Sequence, residues 1–143
     1  SRAYISKLRA RTGTTQQVTH DHSYKNLCLA SPPTGTPEDP ARMLGLGFRN
    51  EPEMNVLHVC PGDVLMMCTD GVHSYVPDGV LQLALAETAE RIHGLDQATA
   101  PKRLARLAQA LLSQARSHQS HDDASIVLAW RSIVGEDTNL RRY

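Results

Sequence analysis

Three aspartates stand at the ends of apolar segments, where a carboxylate is available for chemistry. Asp70 follows the apolar run 64–69, and Asp122 and Asp123 come just before the apolar run 125–130. If the two runs are antiparallel neighbours in a sheet, Asp70 and Asp122 project from the same edge. Two carboxylates in one place repel unless a cation lies between them, and Mg²⁺ binds through one or two carboxylates plus waters. The positions therefore favour a site for Mg²⁺ or Mn²⁺.

Structural explanations exist for the same residue types. Asp70 with the following glycine is a common turn dipeptide, and an aspartate before a strand is ordinary in loops. His118 and His121 have a spacing that zinc sites use, but no cysteine or carboxylate pattern accompanies them. The segment 20–22 (HDH) is expected to cap or support a turn rather than to act as an acid–base pair. Spacing alone therefore leaves the turn and the metal site as alternatives.

The strands that must position the aspartates are predicted from apolar runs and turn residues. An opening hairpin and a second hairpin around the turn Pro61-Gly62-Asp63 are indicated, followed by one late strand. The predicted strands are at 4–5, 16–19, 54–60, 64–69 and 125–130.

Two amphipathic helices lie between the second hairpin and the last strand. Apolar residues recur at helical spacing over 77–92 and 101–116, and Thr99 is a candidate cap for the second helix. Three arginines of that helix lie off its apolar stripe, where exposure to solvent is expected: Arg103, Arg106 and Arg116. Strands clustered before helices predict an α+β domain in which the helix pair packs on one face of an antiparallel sheet.

Composition excludes several classes of protein. The 143 residues suffice for one domain, and 15 Lys plus Arg balance 15 Asp plus Glu, so no nucleic-acid partner is expected. No apolar run approaches the roughly 18 residues that cross a bilayer, so no membrane partner is expected either. The three cysteines match no zinc pattern and predict reduced thiols, hence a cytoplasmic location.

The proline-rich stretch 31–40 predicts a surface loop within the domain.

The segment Gly62–Val72 (GDVLMMCTDGV) resembles the "GD-x-L-L-L-x-S/T-D-G-L" segment of metal-dependent serine/threonine protein phosphatases of the type 2C (PPM) family. His121–Leu128 (HDDASIVL) is similar to that family's late "D-N/D-x-T/S-V-V" segment. Three shorter segments follow the family's order, so the resemblance spans roughly residues 1 to 130: Ser1–Tyr4, Val18–Ser23 and Arg42–Gly47.

This resemblance implies a fold, a reaction and a set of ligands. The fold would be an α+β sandwich of two antiparallel sheets flanked by helix pairs. Asp70 and Asp122 match ligands of a binuclear Mg²⁺ or Mn²⁺ centre, and Asp123 matches a position next to the ligands where many relatives have Asn. The family hydrolyses phosphoserine and phosphothreonine with a metal-bridged water. The resemblance implies no catalytic residue beyond the metal ligands.

The resemblance also implies that part of the domain is elsewhere. The family's other ligands and its phosphate-binding arginine lie in an N-terminal half that has no counterpart in these residues. We therefore expect residues 1–131 to be the C-terminal part of a phosphatase domain and 132–143 to be a polar tail. The expected partners are a phosphoprotein substrate, in bacterial signalling, and the missing N-terminal half. Two alternatives are a non-catalytic, pseudophosphatase-like regulatory or interaction domain, and an unrelated α+β binding module.

Overall fold

The computed structural model describes residues 1–9, 12–29, 35–37, 39–41 and 54–132. The chain divides into two compact units, one formed by Ser1–Thr19 with His58–Tyr143 and the other by His20–Leu57. The segment Arg42–Gly47 of the family resemblance and the polar tail from residue 133 onward lie outside the described residues. The aspartates of interest all belong to the first unit.

The first unit is built on a four-stranded antiparallel sheet. Its strands are β1 (Arg2–Arg9), β2 (Thr12–Gln17), β3 (Val64–Cys68) and β4 (Ile126–Trp130), in the spatial order β2-β1-β3-β4. β1 and β2 form the predicted opening hairpin, and β4 is the predicted last strand. The two apolar runs that flank the candidate site, now β3 and β4, are hydrogen-bonded neighbours.

The second predicted hairpin is wrong. Residues 54–60 form no strand, and the side chains of Met54 and Val56 are 86% and 99% exposed. The turn before β3 does form, because Asp63 N donates to Cys60 O at 3.0 Å. Both edges of β3 are already paired, since Val64 lies opposite Ser6 of β1 and Trp130 of β4. An apolar run at 54–60 therefore finds no hydrogen-bonding edge of β3 to join.

Three helices follow β3, and two of them cover one face of the sheet. They are α1 (Asp70–His73), α2 (Asp78–Ile92) and α3 (Ala100–Ser117), so both predicted helices are confirmed. Thr99 occupies the position before α3 but its side chain forms no cap; Asp96 Oδ1 instead accepts from Ala98 N and Thr99 N at 2.9 and 2.7 Å. No helix within the described ranges has the length and apolar character needed to cross a bilayer.

The two faces of the sheet differ in burial. Tyr4, Val64, Met66 and Cys68 point toward the helices and form a core with apolar residues of α2 and α3. The helical members of this core include Leu81, Leu85, Ala89 and Ile92 of α2 and Leu104, Leu111 and Ala115 of α3. On the opposite face, Met67 and Val127 are paired across β3 and β4 and are 46% and 55% exposed.

The second unit contains the segment 20–22. Its neighbour Ser23 is buried, accepts a hydrogen bond from Asn26 N at 3.2 Å through Oγ, and forms an isolated bridge with Pro40. Ala41 N donates to His22 O at 2.8 Å. The Ser23 hydroxyl therefore caps a turn directly after this segment, and the capping role of residues 20–22 stays a prediction.

Candidate functional site

The register of β3 and β4 brings the three aspartates to one edge of the sheet. Cys68, the last residue of β3, lies opposite Ile126, the first residue of β4. The pairing continues one step further, because Thr69 N donates to Ser125 O at 3.1 Å. Asp70 follows directly on one side of this edge, and Asp122 and Asp123 precede it on the other.

The side chain of Thr69 holds the two sides of the edge together. Its Oγ1 donates to Asp123 O at 3.0 Å and accepts from Ser125 N at 2.9 Å. A hydroxyl can donate and accept at once, so one side chain satisfies two backbone groups of the loop that carries the aspartates. This loop, residues 118–125, is called the aspartate loop below.

Gly71 allows the aspartate loop to lie directly against α1. A Cβ at this position would be 2.5 Å from Asp123 O and 3.1 Å from Ala124 Cα, closer than atoms approach without displacement. The carbonyl of Gly71 accepts a hydrogen bond from Ser120 Oγ at 2.9 Å. The Asp-Gly pair that could have been only a turn is therefore also a contact point for the second acidic segment.

The carboxylates themselves face solvent. Asp70, Asp122 and Asp123 are all exposed. Asp122 Oδ1 accepts from Asp123 N at 2.8 Å, which orients the Asp122 side chain. The Asp70 carboxylate accepts no hydrogen bond from any residue that the structure describes. Its oxygens are therefore available to a ligand, and oxygen atoms are the donors that Mg²⁺ and Mn²⁺ prefer.

The described residues contain no complete set of metal ligands. Within residues 1–9, 12–29, 35–37, 39–41 and 54–132, no group of three or more His, Cys, Asp or Glu side chains is placed to hold a metal ion. Asp70 and Asp122 fit a hydrated divalent cation in donor type and in the shared edge that Gly71 permits. A tight site requires further oxygen ligands from outside this set.

Two histidines, His118 and His121, lie near this edge of the sheet in the chain. His118 Nδ1 donates to Tyr75 O at 2.7 Å, which anchors the end of α3 to the segment after α1. His121 is exposed and adjoins Asp122 in the chain. The bond of His118 to a backbone carbonyl gives its ring a role other than the zinc site considered from spacing.

A partly buried polar cluster joins β1 to the start of α2. Tyr4 OH donates to Asp78 Oδ1 at 2.8 Å, Arg2 Nη1 lies 3.8 Å from the same oxygen, and Gln82 Nε2 donates to Asp78 Oδ2. Burial raises the pKa of the Tyr4 phenol well above its ordinary value. Burial also raises the pKa of the Cys68 thiol, which argues against a reactive thiolate at this position.

Sequence reasoning missed the residues that hold the edge together. Thr69 precedes the Asp-Gly pair, and that position is a signal that could have drawn attention to it. Ser120 carries no such signal, because its partner Gly71 is 49 residues away in the chain. Contacts of this kind depend on the packing of the loop and leave no local pattern.

Comparison with known proteins identifies the family of this chain. A family model described as Stage II sporulation protein E (SpoIIE) matches residues 7–132. The chain belongs to the SpoIIE family. The SpoIIE family is PP2C-like, so the resemblance to type 2C phosphatases is confirmed at the level of the superfamily. A search of curated proteins gives no match.

A solved structure has a similar fold. It is described as "PppA, a key regulatory component of T6SS in Pseudomonas aeruginosa", and it matches with a TM-score of 0.60 and 23% sequence identity. The match covers 90% of this chain and 47% of the solved one. At this identity the likeness concerns the fold, and it agrees with an α+β domain of the phosphatase type built on an antiparallel sheet.

Proposed function

We propose that the protein is a metal-dependent serine/threonine protein phosphatase, acting on cytoplasmic phosphoproteins, in which Asp70 and Asp122 hold Mg²⁺ or Mn²⁺. The observation that carries this proposal is the meeting of the two aspartate-bearing segments at one sheet edge, where Gly71 lies against Asp123. An exposed carboxylate without a hydrogen-bond partner suits a metal ligand better than a structural turn. Membership of the SpoIIE family supports the same class of reaction.

Each residue of the edge has a task in the proposed reaction. Asp70 and Asp122 provide carboxylate oxygens, and the bond from Asp123 N keeps Asp122 in a fixed orientation. Thr69 and Ser120 keep the aspartate loop against α1, so that both aspartates stay at the same edge of the sheet. When bound, two divalent cations supply the charge that lowers the pKa of a nucleophilic water and stabilises the phosphoryl group during in-line attack.

Asp70→Asn is the decisive variant. In the complex of this chain with the N-terminal half of the domain, we expect turnover of an aryl phosphate with Mn²⁺ to fall at least about a hundredfold, equivalent to roughly 2.7 kcal/mol of activation free energy. Calorimetric titration should show weaker Mn²⁺ binding, because one anionic ligand is lost. Stability should stay the same or rise slightly, since repulsion among the carboxylates is reduced.

Asp123→Asn is the matched control for that experiment. Asp123 acts on its neighbour through its backbone N–H, which the substitution leaves unchanged. We expect less than about a threefold loss of turnover, because a solvent-exposed polar substitution changes little. Loss of activity in this variant with normal activity in Asp122→Asn would mean that the ligand is Asp123.

A non-catalytic, pseudophosphatase-like domain is the second candidate. The observation in its favour is that the part of the chain that the structure describes contains no group of three metal-binding side chains. In that case Mn²⁺ would neither bind at the edge nor support turnover in any form of the protein. The Asp70→Asn comparison therefore separates the two functions, because only the phosphatase has activity and metal affinity to lose.

We further propose that a second sheet, supplied by the N-terminal half of the domain, covers the exposed face of Met67 and Val127. Apolar residues at 46% and 55% exposure on adjacent strands form a surface that associates readily. The chain alone should bind Mn²⁺ weakly and be inactive, and mixing with the N-terminal half should restore both properties. Titration calorimetry and the aryl phosphate assay test this; full activity of the 143-residue chain alone would contradict it.

A further inference from the structure

A groove on the far side of the helix pair is not used by the proposed phosphatase reaction. It has a volume of about 280 Å³ and lies between α2 and α3. Its lining residues fall on one stripe of each helix with the same spacing of three, four and seven residues: Ala84, Glu87, Thr88 and Arg91 on α2, and Arg103, Arg106, Leu107 and Ala110 on α3. The two stripes therefore face each other along the groove.

The charges of the groove are unbalanced. Three arginines and one glutamate line it, which leaves an excess of two positive charges in a chain whose formal net charge is zero. Glu87 is paired with Arg91 on the same helix at 2.9 Å. Arg103 and Arg106 are exposed and form no ion pair with any residue that the structure describes. Two guanidinium groups are thus available to an anionic partner.

The floor of the groove is apolar and narrow. Ala84 and Ala110 are small, and Leu107 is half-buried between the helices. Small side chains permit close approach of another helix, which packs at 8–10 Å between axes. A volume of about 280 Å³ is at the lower end for a drug-sized ligand, and it suits a few anchoring side chains of a peptide.

We propose that this groove is a docking site for an amphipathic helix of a partner protein, with leucine-type anchors against Ala84, Leu107 and Ala110 and carboxylates against Arg103 and Arg106. The charge excess selects an acidic segment, and the two parallel stripes select an extended helical one. A nucleic acid is disfavoured because no aromatic side chain lines the groove for base stacking. A membrane surface is disfavoured because the site is concave and has fewer cationic residues than lipid-binding clusters.

The probe is a dye-labelled 16-residue helical peptide with leucines at i, i+3 and i+7 and glutamates on the flanking positions. Fluorescence anisotropy measures its binding to the full chain. The Arg103→Glu/Arg106→Glu double variant should weaken binding at least about tenfold, since attraction becomes repulsion. The matched control is Lys102→Glu/Arg116→Glu, which makes the same change in charge on the same helix outside the groove and should weaken binding less than about threefold.

Several outcomes would overturn the proposal. Equal losses in the two double variants would indicate unspecific charge attraction, and equal binding of a peptide with every Glu replaced by Gln would remove the role of the arginines. Binding of phosphatidylglycerol vesicles with the same dependence on Arg103 and Arg106, but not of the peptide, would make the surface a membrane site. Circular dichroism melts verify folding, and Arg103→Gln/Arg106→Gln replaces the first variant if that variant unfolds.

Discussion

The two ends of β3 each carry an aspartate next to a glycine, Asp63 after Gly62 and Asp70 before Gly71. Asp63 is only 2% exposed, and both of its carboxylate oxygens accept backbone hydrogen bonds, Oδ1 from Leu8 N at 3.2 Å and Oδ2 from Cys60 N at 2.8 Å. Asp70 is exposed and accepts none from the described residues.

This difference separates a structural carboxylate from one that is free to bind a ligand. Each oxygen of the Asp63 carboxylate accepts a backbone hydrogen bond and the residue is buried, so its oxygens are not accessible to a cation from solvent. The oxygens of Asp70 have no such use, and they lie beside a second acidic segment. Both aspartates adjoin a glycine near an end of the same strand, so the surrounding structure decides between the two roles.

The strongest test replaces each of the two aspartates separately with alanine. Asp63→Ala should lower the free energy of unfolding by about 2 kcal/mol, because two partly buried N–H groups lose a charged acceptor. Asp70→Ala should change it by less than about 0.5 kcal/mol, as is usual for an exposed side chain. Urea unfolding measures both values. Similar destabilisation by the two variants would remove the distinction between the two ends.

Gly71→Ala tests how closely the site edge is packed. The new Cβ would clash with the carbonyl of Asp123, so we expect a loss of about 2 kcal/mol of stability, together with weaker Mn²⁺ binding as the aspartate loop shifts. Gly79→Ala is the matched control, because a Cβ there meets nothing within 4 Å and alanine favours helix. Thermal unfolding and Mn²⁺ titration distinguish the two variants. Equal stability of Gly71→Ala and Gly79→Ala would show that the aspartate loop shifts without loss of stability.

Tyr4 extends the comparison to Asp78, an aspartate whose partner is a buried phenol. Burial raises the pKa of Tyr4, so above about pH 10 the unfolded phenol loses its proton while the folded one keeps it. The folded state then binds more protons than the unfolded state. The free energy of unfolding must therefore fall as pH rises, by up to about 1.4 kcal/mol per pH unit from this group.

Tyr4→Phe should remove that part of the slope between pH 10 and 11, although it loses the hydrogen bond to Asp78 at every pH. Urea unfolding at a series of pH values is the measurement. A slope unchanged by Tyr4→Phe would mean that another group causes the alkaline loss of stability.

The sequence by itself determined the two long helices, α2 and α3, and the positions of the acidic residues at strand ends. Leu81 and Leu85 of α2 and Leu104 and Leu111 of α3 recur at helical spacing, and a helix must bury such a stripe. The apolar runs that became β3 and β4 indicated strands bounded by aspartates. Local periodicity carries this information because it depends only on the geometry of a single element.

The tertiary structure decided which strands pair and which carboxylate is available. An apolar run favours a strand but does not show whether the strand forms or which partner it pairs with, because backbone hydrogen-bonding groups are the same in every strand. Only the folded structure therefore shows that β3 pairs with β1 and β4 and that the apolar residues 54–60 form no strand. Whether Asp63 or Asp70 keeps free oxygens depends on backbone N–H groups that folding brings from distant parts of the chain, such as that of Leu8.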